Sequence, residues 1–316
     1  MISPMGRTLG WATDAVAARA RVMGVKSLRE GAGPWLIRFE VSAEVVEVVL
    51  RVGEVDSAAD HQQFGTEVAA LKHAENHRLA APRLIALDLD GDRAGVLAVL
   101  TTVLPGSSRI PLLPSENRMR RLGAAAAGLH AIEMAPQAGL PLRKRPLADV
   151  DFSEARRTTG TSALLTEAET RVSRTPAPEG KTVFVHGDLW QGNTMWIEDT
   201  FVGVLDWDAA GAGSYGVDLG SLRCDVAITF GLPAAEQVLE GWQEAIGRQA
   251  DDLAYWDVIA ALSTPTDMIE WLPTIHEQGR IDLNAQTLTD RRDAFLRTAL
   301  DRLPPPRSPS TPDPAM

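Results

Sequence analysis

Residues 185–193 read VHGDLWQGN, and residues 204–208 read VLDWD. In each segment an aspartate, Asp188 or Asp206, follows a short apolar run of the kind that forms a strand. A side chain at a strand end is held in place while the loop after it stays open to a ligand. Phosphoryl transfer needs an acid that orients the attacking hydroxyl and oxygen ligands that hold magnesium on the phosphates. Asp188, Asn193 and Asp206 supply these types of group.

The spaced pair of motifs, H-G-D-x-x-x-x-N and L-D-W-D, resembles the aminoglycoside phosphotransferase family, which shares the fold of the protein kinases. The resemblance extends from about Leu28 to Arg302. It implies an α+β, bilobal protein-kinase-like fold with a small β-rich N-lobe and a mostly helical C-lobe. On this basis residues 1–104 would bind nucleotide, and residues 105–302 would carry the catalytic loop, the metal-binding loop and the substrate site.

Three residues receive catalytic or metal roles from the resemblance. Asp188 would be the catalytic base, and Asn193 and Asp206 would bind magnesium. For Asp206 the alternative is an aspartate that caps a turn.

Four further residues near the motifs receive roles from the same resemblance. His186 and Asp218 would support the catalytic loop without touching the substrate. Asp208 would assist the metal or face the substrate. Trp190 would either line the substrate site or pack beneath the loop.

In the N-lobe the resemblance calls for a basic strand residue, paired with a helix glutamate, that grips the nucleotide phosphates. Arg51 and Glu67 stand at these places, with arginine where protein kinases have lysine. Arginine keeps the charge and adds a bidentate fork, so we expect phosphate binding to survive the exchange. The alternatives are an exposed strand arginine and an ordinary solvated helix glutamate. The turn at residues 30–34, EGAGP, stands where a phosphate-covering loop belongs, but it lacks the third glycine of G-x-G-x-x-G.

Local patterns predict the elements around these residues. Residues 35–53 alternate apolar and polar side chains and then become β-branched, which predicts two antiparallel strands. Residues 82–106 predict a strand, an Asp-Gly turn at residues 90–91 and a second strand. With a helix in front, the first hundred residues follow the order β-β-α-β-β. Helices are predicted at residues 59–79, 115–133, 151–174, 217–230, 234–246, 252–272 and 284–302, and short strands at residues 182–188 and 201–208.

Charge is unevenly distributed along the chain, whose formal net charge is −11. Residues 1–185 carry 23 basic and 21 acidic side chains, whereas residues 186–316 carry 8 basic and 21 acidic ones. Such an acidic segment repels phosphate backbones, so we expect no nucleic-acid partner. It suits a metal ion or an amine-bearing ligand, although an acidic surface can also serve solubility alone.

Composition excludes several other classes. The longest apolar run, residues 94–104, is shorter than the ~18–20 residues of a membrane span, so we expect no membrane crossing. The N-terminus does not resemble a signal peptide, which makes the cytoplasm the expected location. Cys224 is the only cysteine, so an intramolecular disulfide and a cysteine-based zinc cluster are excluded. The proline-rich tail, residues 303–316, is expected to be disordered.

The motifs, with the family that they resemble, imply a phosphotransferase that moves the γ-phosphoryl group of ATP, or of GTP, to a hydroxyl of a small molecule with the help of Mg²⁺. An aminoglycoside or another amine-bearing compound is the first candidate for the acceptor. A sugar, an amino alcohol or a macrolide is an alternative, as is a catalytically silent module that binds nucleotide. Asp267, Glu270 and Trp271 are candidates for substrate contacts, and the alternative for these residues is a helix with one acidic face and one core face. The oligomeric state stays open.

Overall fold

The computed structural model describes residues 4, 6–29 and 32–304. Glu30 and Gly31 of the turn at residues 30–34, and the tail from residue 305 onward, lie outside the described residues. Among the described residues, no helix combines the length and the apolar character that a membrane crossing requires. In chain order the helices and strands are α1 (Gly6–Val16), β1 (Arg21–Arg29), β2 (Ala32–Val41), β3 (Glu44–Gly53), α2 (Ala58–Asn76), β4 (Leu84–Asp88), β5 (Leu97–Thr102), α3 (Glu116–His130), β6 (Leu142–Arg143), α4 (Phe152–Thr159), α5 (Ala163–Ser173), β7 (Val183–Val185), β8 (Thr194–Ile197), β9 (Thr200–Val204), β10 (Gly211–Gly213), α6 (Gly216–Phe230), α7 (Leu232–Ile246), α8 (Leu253–Leu262), α9 (Leu272–Glu277) and α10 (Ala285–Arg302).

The chain divides into two compact units, and neither is continuous in sequence. The sheet unit comprises residues 1–107, 136–141 and 194–211, and the helical unit comprises residues 108–135, 142–193 and 212–316. The predicted α+β class is confirmed, with the sheet near the N-terminus and helices in most of the remainder.

The sheet unit is built on five antiparallel strands in the order β1-β2-β3-β5-β4. Side chains of β5 alternate between its two faces, as the period of two requires. Ala98 and Leu100 pack in the cluster that includes Trp11 of α1, and Leu97 and Val99 pack with Phe64 of α2. Each face of the sheet is therefore covered by one helix, and the register of β5 is fixed by burial on both of its faces.

Strand β1 is an addition to the predicted β-β-α-β-β order. Its pairing with β2 shifts register between Val22 and Gly24 and again between Ser27 and Arg29. These irregularities interrupt the apolar–polar alternation that marks a strand in sequence, and β1 lies at the sheet edge, where only one neighbour pairs with it. The sequence pattern therefore contains no clear strand signal here.

In the helical unit, helices α3 and α7 pack closely against each other at two positions where one helix has a glycine. A Cβ atom on Gly123 would lie 2.0 Å from the carbonyl oxygen of Val238, and one on Gly241 would lie 2.0 Å from that of Arg120. No larger residue fits at either position without moving a backbone. The crossing thus depends on two glycines that face the partner helix.

Two helices predicted as continuous are interrupted in the structure. The prediction for residues 151–174 is wrong at Gly160, whose φ of +101° ends α4, after which Ser162 begins α5 by accepting from the Leu165 N–H at 3.2 Å. The prediction for residues 252–272 is wrong beyond Leu262, because Pro265 lacks an N–H and disfavours helical backbone before it. Both interruptions occur at residue types, glycine and proline, that commonly end helices.

Candidate active site

The predicted catalytic loop, residues 186–193, follows the buried strand β7 in the helical unit. Gly187 turns the chain with φ of +80°, a left-handed value that favours glycine. Its carbonyl oxygen accepts from the Leu147 N–H at 2.9 Å. The turn places Asp188 after the strand with its side chain partly exposed.

Asp218, in the first turn of α6, holds the beginning of this loop. Its Oδ2 accepts from the His186 N–H at 2.7 Å, and its Oδ1 accepts from the Gly187 N–H at 2.8 Å. Asp218 and His186 are both 0% exposed. The Asp188 N–H donates to His186 Nδ1 at 3.3 Å, so the proton of a neutral His186 ring lies on Nε2. This is the geometry that a loop-supporting role requires.

Behind Asp218 lie two residues that the sequence analysis missed, His130 and Trp242. The Trp242 indole N–H donates to His130 Nδ1 at 2.9 Å, and His130 Nε2 lies 3.3 Å from Asp218 Oδ2. Because Nδ1 accepts, the ring proton is on Nε2 and points to the carboxylate. The two residues are 112 positions apart, so no local pattern could have linked them.

Asn193, at the end of the loop, is hydrogen-bonded to Asp188. Its Nδ2 donates to the Asp188 carbonyl oxygen at 2.9 Å and to Asp188 Oδ2 at 3.1 Å. With the amide nitrogen engaged in this way, Oδ1 is the side-chain atom that can bind a cation. The structure therefore brings the predicted base and one predicted metal ligand into direct contact.

Trp190 packs against the loop itself. A Cβ atom on Gly192 would lie 2.1 Å from the Trp190 ring, so the glycine makes room for the indole. The ring is only partly exposed. The contact favours packing as the role of Trp190, and contact with a substrate stays a prediction.

In the sheet unit, Asp206 and Asp208 follow β9 at a short 3-10 turn, residues 207–209. Asp206 adopts left-handed backbone, with φ of +63°, a conformation that aspartate tolerates better than most residues. Its side chain makes no capping hydrogen bond to the turn, so the turn-capping alternative finds no support. Trp207 is buried between the two aspartates, and its indole N–H donates to the Val204 carbonyl at 3.0 Å. The buried indole anchors the turn and leaves both carboxylates partly exposed.

Arg51 on β3 contacts three carboxylates at once. Its Nη1 lies 3.0 Å from Glu67 Oε2 and 3.4 Å from Asp206 Oδ1, and its Nη2 lies 2.8 Å from Asp208 Oδ2. The guanidinium also lies 5.4 Å from the ring centroid of Phe64. The Arg51 and Glu67 side chains are 22% and 9% exposed. This burial does not agree with the alternatives of an exposed strand arginine and a solvated helix glutamate.

Burial and charge shift the ionisation of this pair. Burial raises the pKa of the Glu67 carboxyl to about 7, with Arg51 opposing the shift and the two aspartates adding to it. Burial alone would lower the pKa of Arg51, but Glu67, Asp206 and Asp208 together hold that pKa above its ordinary value. Arg51 is therefore a fixed positive charge that forms ion pairs with all three carboxylates.

Arg29, at the end of β1, is a further member of this group that the sequence analysis missed. Its Nη2 lies 3.1 Å from Asp206 Oδ2, with the Arg29 side chain 63% exposed. A single basic residue in an irregular strand offers no motif, and its partner lies 177 positions away.

The residues predicted to contact substrate lie after α8 in the helical unit. Asp267 is exposed and accepts from the Ile269 N–H at 2.9 Å, which begins a 3-10 turn. Glu270 is exposed, and Trp271 is partly exposed. Asp267 thus has a capping role, and a role of these three residues in substrate binding stays a prediction.

The donor chemistry of the described residues fits a magnesium ion. Carboxylate oxygens of Asp206 and Asp208 and the amide oxygen of Asn193 are the hard ligands that Mg²⁺ prefers. Among the described residues no three His, Cys, Asp or Glu side chains form a metal group by themselves. Mg²⁺ in phosphotransferases is commonly held by one or two side chains together with substrate phosphates, and Asp206 and Asp208 in the sheet unit and Asn193 in the helical unit each carry an oxygen donor of the suitable type.

The pairing of the strand residue Arg51 with the helix residue Glu67 is similar to the lysine–glutamate pair of the protein kinases, and the H-G-D loop is similar to their H-R-D loop. The family model of the phosphotransferase enzyme family, APH, matches residues 26–262, and the chain belongs to this family. It is a small-molecule phosphotransferase. The resemblance inferred from the motifs is thereby confirmed.

Solved structures share the fold over most of the chain. The macrolide 2′-phosphotransferase MphH from Brachybacterium faecium is 18% identical and has a TM-score of 0.57, with 92% of this chain and 93% of that chain covered. An aminoglycoside-3′-phosphotransferase of type VIII is 20% identical, with a TM-score of 0.53 and coverage of 80% and 98%. A thermostable mutant of aminoglycoside phosphotransferase APH(4)-Ia, in a ternary complex with ADP and hygromycin B, is 14% identical, with a TM-score of 0.55 and coverage of 94% and 99%. No curated protein sequence matches the chain. At these identities the structures establish the protein-kinase-like fold.

Proposed function

We propose that the protein transfers the γ-phosphoryl group of ATP to a hydroxyl of a small, amine-bearing acceptor in a magnesium-dependent reaction. The observation that carries this proposal is the contact of Asn193 with Asp188, because it joins a base and an oxygen ligand in one loop. The ADP complex of the APH(4)-Ia mutant supports a nucleotide donor. GTP is the alternative donor.

In the proposed reaction Asp188 accepts a hydrogen bond from the acceptor hydroxyl and takes its proton as the oxygen attacks the γ-phosphorus, while the bond from that phosphorus to the bridging oxygen breaks and ADP leaves. Asn193 holds Asp188 in place through its Nδ2 and presents Oδ1 to the metal. Asp206, with Asp208 beside it, supplies carboxylate oxygens for the same purpose. Magnesium, when bound, neutralises charge on the phosphate oxygens.

Arg51 and Glu67 complete the nucleotide side of the proposed site. A guanidinium braced by a buried carboxylate is a fixed donor for phosphate oxygens. We assign nucleotide binding to the N-lobe of residues 1–104, and catalysis and acceptor binding to residues 105–302. Asp267, Glu270 and Trp271 remain the proposed acceptor contacts.

The charge distribution favours a cationic acceptor over a neutral one. Residues 186–316 carry 21 acidic and 8 basic side chains. An acidic segment raises the local concentration of amine-bearing compounds. Aminoglycosides are therefore the first acceptor class to test, followed by amino alcohols, macrolides and neutral sugars.

The test is magnesium-dependent turnover of ATP and of GTP against these four acceptor classes. Wild type is compared with Asp188→Asn and with Asp290→Asn, a control that removes a carboxylate from the exposed face of α10. We expect turnover that Asp290→Asn retains and that Asp188→Asn lowers by about 10²–10⁴ in kcat. Nucleotide binding without turnover of any acceptor would support the silent-module alternative, and a failure to bind nucleotide would contradict both.

A further inference from the structure

Helix α6 carries two acidic residues that contact the catalytic loop. Asp218 and Asp225 are seven residues apart, which places them on the same face of the helix, about 10.5 Å apart along its axis. Asp218 binds the backbone at the beginning of the loop, as described above. Asp225 lies two turns further along α6.

Asp225 binds the other end of the loop through Gln191. The Gln191 backbone N–H donates to Asp225 Oδ2 at 3.1 Å, and the Gln191 side-chain amide donates to the same oxygen at 2.9 Å. One carboxylate oxygen thus accepts from both the backbone and the side chain of a single loop residue. Hydrogen bonds to an ionised acceptor are stronger than those between neutral groups.

A second α6 residue adds to this attachment. Thr229 Oγ1 accepts from the Gln191 side-chain amide at 2.9 Å and donates to the Asp225 carbonyl at 2.9 Å. Gln191 and Thr229 are both 0% exposed. A buried and repeatedly bonded residue holds its backbone in one position better than a solvated one does.

Gln191 is the first residue of the 3-10 turn that ends at Asn193. The Asn193 N–H donates to the Trp190 carbonyl at 3.1 Å, which completes this turn. The position of Gln191 therefore sets the position of Asn193. The two ends of the loop are held by two separate acids of one helix.

We propose that Asp225 is a positioning residue, which fixes the turn of residues 191–193 and thereby sets the geometry of Asn193 toward the metal. Asp218 fixes residues 186 and 187 and thereby sets Asp188. The part of this inference that concerns the metal rests on the proposed function, whereas the attachment of the loop end to Asp225 does not.

The first measurement is amide hydrogen exchange in wild type, Asp225→Ala and Asp290→Ala. The Asp290 control loses a glutamine–aspartate hydrogen bond of the same chemistry, from Gln286 at 2.8 Å, on the exposed side of α10. We expect the Gln191 amide to exchange at least about tenfold faster in Asp225→Ala, while the His186 and Gly187 amides stay as protected as in wild type. Unchanged exchange at Gln191, or an equal loss at all three amides, would overturn the inference.

The second measurement is the Mg²⁺ concentration that half-saturates binding of a fluorescent ADP analogue. We expect Asp225→Ala to raise it about tenfold, as changes behind a metal ligand commonly do, and Asp290→Ala to leave it unchanged. A folded Asp225→Ala protein with the wild-type Mg²⁺ requirement would overturn the positioning role and leave Asp225 a purely structural residue.

Two provisions keep the outcomes distinct. If Asp225→Ala does not fold, Asp225→Asn replaces it, since it keeps the volume and one acceptor oxygen for the Gln191 N–H, and a smaller shift in the same direction is expected. If wild type binds the ADP analogue without any need for Mg²⁺, the proposed function and the metal role of Asp225 both fail. In that case faster exchange at Gln191 alone would still support the separate attachment of the loop end.

Discussion

Asn193 Nδ2 lies 2.9 Å from the carbonyl oxygen of Asp188 and 3.1 Å from its Oδ2. The side chain assigned to the metal is thus also the one that orients the base. The two functions share one amide, with its nitrogen turned to Asp188 and its oxygen available for a cation.

Asn193→Ala should consequently lose both functions. We expect kcat to fall by at least about 100-fold and the Mg²⁺ requirement to rise by about 10–100-fold. Asp188→Asn should lower kcat alone, because it leaves the amide oxygen of Asn193 in place. Steady-state rates across a magnesium titration separate the two variants. An unchanged magnesium requirement in Asn193→Ala would contradict the metal role.

Asp206→Asn tests the principal carboxylate ligand. Asparagine tolerates the left-handed backbone at this position, so the variant should fold, but it removes the negative charge. We expect turnover to be abolished and Mg-nucleotide affinity to fall by more than the ~10–100-fold that residues behind a ligand contribute. Calorimetric titration of nucleotide with and without Mg²⁺ measures this. Equal nucleotide affinity in variant and wild type would show that Asp206 holds no metal.

Arg51→Lys tests whether the arginine fork is needed. One ammonium cannot reproduce contacts made by two guanidinium nitrogens to three carboxylates. We expect nucleotide affinity to fall about tenfold, as for the loss of one charge-assisted hydrogen bond. Arg38→Lys is the matched control, because Arg38 pairs with Glu47 on exposed strand positions at 2.7 Å. Equal effects of the two substitutions on nucleotide affinity would contradict a specific role for Arg51.

Two glycines of α3 give opposite predictions for stability. Gly123→Ala should destabilise the protein by at least about 2 kcal/mol, since the added carbon meets a backbone carbonyl of α7. Gly128→Ala should stabilise it by about 0.5–1 kcal/mol, because nothing lies within 4 Å of the added carbon and alanine favours the helix. Urea unfolding measures both. Similar values for the two would mean that the crossing tolerates a side chain.

Asp225 gives a prediction for pH dependence. Burial raises the pKa of its carboxyl from 3.8 to about 6, and the Gln191 donors oppose the shift. A carboxyl whose pKa is higher in the folded state binds its proton more tightly there, so it stabilises the fold fully below about pH 4 and loses that contribution as the pH rises through about 6. The free energy of unfolding of wild type, relative to Asp225→Asn, should therefore fall between these pH values. A constant difference in urea unfolding across this range would contradict the shift.

The sequence predicted the parts of the site that lie in short motifs or at regular strand and helix positions. Asp188 and Asn193 were predicted as a base and a metal ligand from the motif that spaces them five residues apart, and the structure adds their direct contact. The pairing of Arg51 with Glu67 was implied by the family resemblance, and local patterns only placed the two residues on a strand and on a helix. Gly160 and Pro265 are residues that commonly end helices, so the sequence did contain a signal for both interruptions. The predictions of continuous helices followed the helical periodicity of the surrounding residues instead.

The remaining contacts had no sequence signal because they join distant positions. Asp225 meets Gln191 across 34 residues, and Trp242 meets His130 across 112. Each is an ordinary helix residue until the fold brings it beside the loop or its supports. Arg29 likewise acquires a partner only because an irregular edge strand ends near Asp206.

The discontinuity of the sheet unit limits how the protein can be dissected. An N-terminal fragment ending at Ser107 would retain Arg51 and Glu67 but lose Asp206 and Asp208, which belong to the same compact unit. The arginine would then face one carboxylate in place of three. Expression of the N-terminal fragment alone would thus yield an incomplete unit, so nucleotide-binding assays require the intact chain.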